Sequence, residues 1–137
     1  MKVITHSEEE TIELGKSLAQ KLKKGDIVAL YGELGSGKTT LIKGIISAFG
    51  YQKTVKSPSF IIIAIYLAEI PLYHIDLYRI EDEKEIENLG IFEYLYGEGI
   101  SLIEWAERIE KDLPPKRINI RIKILSEKER EFEIENL

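Results

Sequence analysis

IVALYGELGSGKT, Ile27 to Thr39, starts as a continuous apolar run and ends as a loop with three glycines in its eight residues. An apolar run without polar alternation describes a strand buried on both faces, as in a parallel sheet. The loop, Gly32 to Thr39, matches G-x-x-x-x-G-K-[ST] in full. Its glycines let the backbone wrap closely and turn N–H groups toward an anion. Leu41, Ile42, Ile45, Ile46 and Phe49 then recur at helical spacing up to Gly50. A helix starting at the loop adds its positive pole. Lys38 supplies a point charge for the β- and γ-phosphates, and the Thr39 hydroxyl suits Mg²⁺, a hard ion that takes oxygen ligands. The expected ligand is therefore a nucleoside triphosphate with Mg²⁺. The binding run is Glu33, Leu34, Gly35, Ser36, Gly37, Lys38, Thr39 and Thr40.

Upstream, Ser7 to Glu10 reads as a capping box, in which Ser7 accepts a helix N–H and Glu10 reaches back. Ile12, Gly15, Leu18, Ala19 and Leu22 follow at helical spacing. The basic end Lys21, Lys23, Lys24 suits the helix dipole, and Gly25 stops the helix. Downstream, Phe60 to Leu67, Leu72 to Ile75 and Ile100 to Ile103 read as strands. Ile80 to Glu87 and Trp105 to Asp112 read as short helices. Ile118, Ile120, Ile122 and Ile124 alternate with polar residues, as does Glu131 to Glu135, which predicts a terminal hairpin. Strands alternating with helices give an α/β fold of P-loop NTPase-like type, a mainly parallel sheet flanked by helices with an antiparallel C-terminal hairpin. At 137 residues, one domain over 1–137 is expected.

Composition narrows the classes. With no cysteine, a disulfide framework and a thiolate metal site are excluded, and two histidines are too few for a His-rich site. The net charge of −5 argues against direct tight binding to bare nucleic acid, which needs a cationic field. The longest apolar run, Phe60 to Ala68, has nine residues, against the roughly 18 that mark a membrane span. The opening MKVITHSEEE lacks the apolar core of a secretory signal. The expected location is cytoplasmic.

Mg²⁺ needs further oxygens, and in P-loop enzymes a carboxylate at the end of a neighbouring strand provides one. Asp76 ends LYHID and Glu104 ends SLIE, so both emerge at the carboxyl edge of the sheet, where ligands bind. Lys38, Asp76 and Glu104 are the catalytic candidates, and Thr39, Glu104 and Asp76 the metal-holding ones. Each acid also fits an N-cap or a solvated turn. Ser59, in the connection after the second helix, fits a γ-phosphate sensor or a plain Ser-Pro turn. His74 reads as a satisfied core histidine, and Arg79 as a charge stabiliser or, more plainly, a surface ion-pair partner for the acids of Glu81 to Glu87. Trp105 is by default a core aromatic, or more sharply one beside the nucleotide.

GELGSGKTTL, VKSPSF, LYHIDLYRI, NLGIFEYL and LIEWAERI, in this order across nearly the whole chain, resemble the TsaE (YjeE-type) family of small bacterial P-loop ATPases. The loop alone does not single out the family; the HIDLYR and IEWAER blocks do. The resemblance implies a Mg²⁺-dependent ATPase, weak alone, that works with TsaB and TsaD proteins in forming threonylcarbamoyladenosine in tRNA. Hydrolysis would support turnover of that assembly, and tRNA would be met through the complex. It implies phosphate binding by Lys38 and Mg²⁺ binding by Thr39 and Glu104. Asp76 falls on the family's acidic residue, as metal ligand or water-orienting group. Ser59 stands where the family usually has Thr, and Phe60 to Tyr66 is more apolar than usual.

Two other functions use the same loop. A small-molecule kinase needs an acceptor pocket and a basic lid, and no Arg-rich lid segment is present. A nucleotide-gated binding module needs the same residues without hydrolysis. A guanine-specific N-K-x-D signature is absent, which favours adenine.

Overall fold

The computed structural model of the chain describes residues 1–51 and 63–137. In order it has β1 (Lys2–Thr5), α1 (Glu8–Ala19), β2 (Ile27–Tyr31), α2 (Lys38–Ala48), β3 (Ile63–Leu67), β4 (Pro71–Asp76), α3 (Glu83–Asn88), α4 (Ile91–Leu95) and β5 (Ile100–Glu104). A 3₁₀ helix (Ala106–Asp112), β6 (Ile118–Ile124) and β7 (Arg130–Glu135) complete it. The strands form one mixed sheet in the order β1-β7-β6-β2-β5-β4-β3. β6, β2, β5 and β4 make a parallel centre, with antiparallel pairs at both edges.

The predicted hairpin is β6–β7, and IVALY is the strand β2, buried along its length up to a half-buried Tyr31. β1 was not foreseen. Four residues carry no readable alternation, and their pairing partner β7 lies at the other end of the chain. α1 ends at Ala19, short of the predicted basic tail. The Lys21 and Leu22 N–H groups donate to the Leu18 and Ala19 carbonyls, tightening the last turn so that Leu22 reaches the core. Lys21, Lys23 and Lys24 therefore follow the helix. The cap is Ser7, as expected, but Glu10 reaches back one residue further. Ser7 Oγ accepts from the Glu10 N–H at 3.1 Å, while Glu10 Oε1 accepts from the His6 N–H, one residue before the cap. The segment after Glu104 is 3₁₀, kinked at Ile109 (φ −129°), and buries Ala106 and Ile109.

Two apolar cores flank the sheet. On one face, α1 and α2 cover Val28, Leu30, Leu72, Ile100, Leu102, Ile118, Ile120 and Ile122. The two helices approach so closely that a Cβ on Gly44 would lie 2.2 Å from the Ile12 carbonyl oxygen, and one on Gly15 2.4 Å from that of Leu41. On the other face Ile27, Ala29, Ile75, Leu77 and Ile103 pack with Ile80, Ile86, Ile91, Leu95, Ala106, Ile109 and Leu113 from shorter segments.

Candidate functional site

β2 feeds directly into the glycine loop, and α2 begins at Lys38. Gly37 is the N-cap of α2 at φ +105°, a conformation in which a side chain is strained. Gly37 has no side chain to cap α2, so the first turn of α2 faces the loop without an acceptor from the cap residue.

Register delivers the acids. In the parallel pair β4–β5, Asp76 is the partner of Glu104, and Glu104 is also the partner of Leu30 in β2. Partnered residues of parallel strands share a face, so both carboxylates lie on the α1–α2 side, beside the start of α2. Thr39 Oγ1 stands 3.2 and 3.3 Å from the two oxygens of Glu104. Asp76 is 8% exposed and its Oδ1 accepts the Tyr78 N–H at 3.0 Å, so it also acts as the turn acid that the sequence allowed. Thr39, Asp76 and Glu104 all line one cavity of about 730 Å³.

The same cavity is lined by Leu34, Gly35, Ser36, Gly37, Lys38 and Thr40. Glu33 is exposed and contributes its carbonyl, which accepts from Ser36 N–H at 3.0 Å and Lys38 Nζ at 3.4 Å. Lys38 Nζ also donates to the Gly32 carbonyl and lies 3.9 Å from the Trp105 ring centroid. Burial pushes the Lys38 pKa below the ordinary lysine value, opposed by the negative charges of Glu104, Glu107 and Asp76. Ser59 lies outside the described residues.

Trp105 packs against the second core, as expected by default, and its ring also lies over Lys38. What sequence reasoning missed is its φ of +59°, rare for a bulky residue and announced by no local signal. Two further features were missed. His74 is fully buried, but it is not a satisfied core histidine: Nε2 lies 2.5 Å from Glu104 Oε2, and Nδ1 has no hydrogen-bond partner among the described residues. The turn of the β6–β7 hairpin brings Glu127, Lys128 and Arg130 to the cavity wall, and Arg130 Nη2 donates to the Gly35 carbonyl at 3.4 Å. The sequence marks that turn only as the link between the two alternating segments of the hairpin. Arg79, expected on the surface, also borders the cavity.

The residues fit Mg²⁺ chemically. A threonine hydroxyl and one or two carboxylates supply hard oxygens to an ion that otherwise keeps waters and phosphate oxygens. Among the described residues no three His, Cys, Asp or Glu side chains converge as a self-sufficient cage. Phosphate oxygens would have to supply the rest.

A glycine loop between a central parallel strand and a helix, opposed by acids at the ends of adjacent strands, defines the α/β P-loop NTPase-like class. The family model for threonylcarbamoyl adenosine biosynthesis protein TsaE matches residues 5–132. The chain is 46% identical over 129 residues to the tRNA threonylcarbamoyladenosine biosynthesis protein TsaE of Bacillus subtilis, covering 93% of this chain and 80% of that protein. To the TsaE protein of Treponema pallidum it is 33% identical over 134 residues, covering 98% and 99%. The crystal structure of Bacillus subtilis YdiB superposes with a TM-score of 0.82 at 39% identity, over 96% of this chain and 82% of that one. The chain belongs to the TsaE family, which acts in tRNA threonylcarbamoyladenosine biosynthesis. Among the described residues no helix is long and apolar enough to cross a membrane.

Proposed function

We propose that the chain, as one cytoplasmic domain, binds and hydrolyses ATP with Mg²⁺, and that this hydrolysis supports turnover of a TsaB–TsaD assembly modifying tRNA. The observation that carries the reading is the meeting of Thr39 and Glu104 beside Lys38 at the mouth of the glycine loop.

Lys38 would leave its loop carbonyls for the β- and γ-phosphates, a charged partner better than two neutral oxygens. Gly35 to Thr40 would hold the phosphate chain through backbone and hydroxyl groups. Thr39 and Glu104 would hold Mg²⁺, which when bound neutralises phosphate charge. Asp76, next to Glu104 on the neighbouring strand, would share that role or orient the water that attacks the γ-phosphorus. The products are ADP, inorganic phosphate and a proton. Positioning and charge stabilisation account for most of phosphoryl-transfer catalysis, and those are the roles proposed for Lys38, Thr39 and the two acids.

The net charge of −5 favours meeting tRNA through partners rather than directly. ATP hydrolysis by the purified chain, alone and with TsaB, TsaD and substrate tRNA, tests the proposal. Slow hydrolysis alone and a changed rate with partners are expected. An unchanged rate would contradict the assembly role, and no hydrolysis in either arm would contradict the ATPase reading.

A further inference from the structure

His74 occupies a place where its own strand and the next one use leucine. Leu72 precedes it on the same face of β4, and Leu102 is its partner on β5. All three are fully buried. Packing alone would be served by a third leucine, without burying an imidazole that has one nitrogen unpartnered among the described residues. The cost of that orphaned Nδ1 calls for a compensating use of Nε2.

That use is the contact with Glu104 Oε2 at 2.5 Å. An ionised carboxylate only accepts hydrogen bonds, so the proton belongs on Nε2. Nδ1 is then a bare lone pair, which is cheaper to bury unpaired than an N–H. Thr39 Oγ1 approaches the same carboxylate from the start of α2. Glu104 is thus held between a rigid strand and the phosphate-binding helix, which limits the rotation of its carboxylate. Metal-ligating carboxylates are commonly oriented by such outer partners.

We propose that His74 is a positioning residue: its Nε2–H anchors one oxygen of Glu104 and so presents the carboxylate, with Thr39, to Mg²⁺. This rests on the metal reading of Thr39 and Glu104 given above. It adds to that reading a residue that touches neither nucleotide nor ion.

The test compares His74→Leu, which keeps volume without a donor, with His74→Gln, whose amide N–H reaches about where Nε2 lies. His74→Asn is too short to do so. ATP affinity is measured calorimetrically across Mg²⁺ concentrations, with circular dichroism and thermal melting as fold controls. His74→Leu and His74→Asn should need about 10- to 100-fold more Mg²⁺ for the same tightening of ATP binding. Their affinity without Mg²⁺ should be unchanged, and His74→Gln should recover most of the loss. A wild-type Mg²⁺ requirement in folded His74→Leu would overturn the proposal, as would failure of His74→Gln to exceed His74→Asn. ¹⁵N NMR of the wild type gives a readout independent of any variant. A proton on Nε2 of His74 is expected, and a ring protonated on Nδ1 alone would overturn the proposal. Wild-type ATP affinity indifferent to Mg²⁺ would break the metal reading itself, while the tautomer still decided whether His74 donates to Glu104.

Discussion

On the face covered by α1 and α2, strands β2, β5 and β4 run apolar through Val28, Ile100, Leu102 and Leu72, then turn polar at His74, Asp76 and Glu104. On the opposite face the same strands end apolar, at Ala29, Ile103 and Ile75, and Leu77 continues that face just past β4. The polar end appears only where a long helix opens toward it from the glycine loop. The opposite face is covered by α3, α4 and the 3₁₀ segment, the first two of six and five residues. Such short elements depend on tertiary packing for their stability. The difference separates two jobs: one face positions the proposed site, and the other holds the strands together.

Substitutions can break that division or sharpen it. The largest effect is expected for Lys38→Ala on the site face. ATP turnover should fall by at least about 100-fold, as for loss of a principal transition-state donor, and wild-type turnover would remove the role of the loop lysine. Gly44→Ala attacks the same face through its packing. The new Cβ meets the Ile12 carbonyl, backbone that cannot rotate away. Overpacking of this kind should cost about 3 kcal/mol and lower the melting midpoint by roughly 10 °C. ATP affinity should weaken with it, because α2 carries the loop. Ile91→Ala attacks the opposite face, where Ile91 is fully buried. Denaturant unfolding should show a loss of about 2–3 kcal/mol, yet ATP affinity of the folded fraction should stay at the wild-type value. A parallel loss of affinity would show that the faces are not separable.

The smallest effect concerns stability and pH. Burial depresses the Lys38 pKa in the folded chain below its ordinary value of 10.5. The unfolded state therefore binds that proton more tightly, and stability rises with pH between the folded and unfolded pKa values. The penalty for holding the charge is fully present below the folded pKa and gone above the unfolded one. Lys38→Met should accordingly melt higher than wild type at neutral pH without nucleotide. The gap should narrow as pH approaches 10.5. A gap independent of pH would assign it to packing instead.

Local structure was legible. IVALYGELGSGKT states its strand, loop and helix in consecutive residues, and Asp76 and Glu104 are marked by an apolar run ending in an acid. What depends on pairing between distant segments was not. The His74–Glu104 contact exists only because β4 lies beside β5 in one register. The approach of Arg130 to the loop depends on β7 turning back beside β6. β1 is recognisable only by its partner. The early end of α1 was hidden by Lys21, Lys23 and Lys24, residues that suit a helix terminus as well as they suit the turn they occupy. The left-handed Trp105 follows from where the chain must go after β5, not from the identity of the residue.

The central claim is that the acid at the end of β5 completes a metal-dependent triphosphate site. Calorimetric titration of ATP with and without Mg²⁺ into wild type and Glu104→Gln tests it most directly. Mg²⁺ should tighten ATP binding to the wild type, and that gain should fall by more than about tenfold in Glu104→Gln, with affinity in the absence of Mg²⁺ preserved. An undiminished Mg²⁺ gain in Glu104→Gln would contradict the claim.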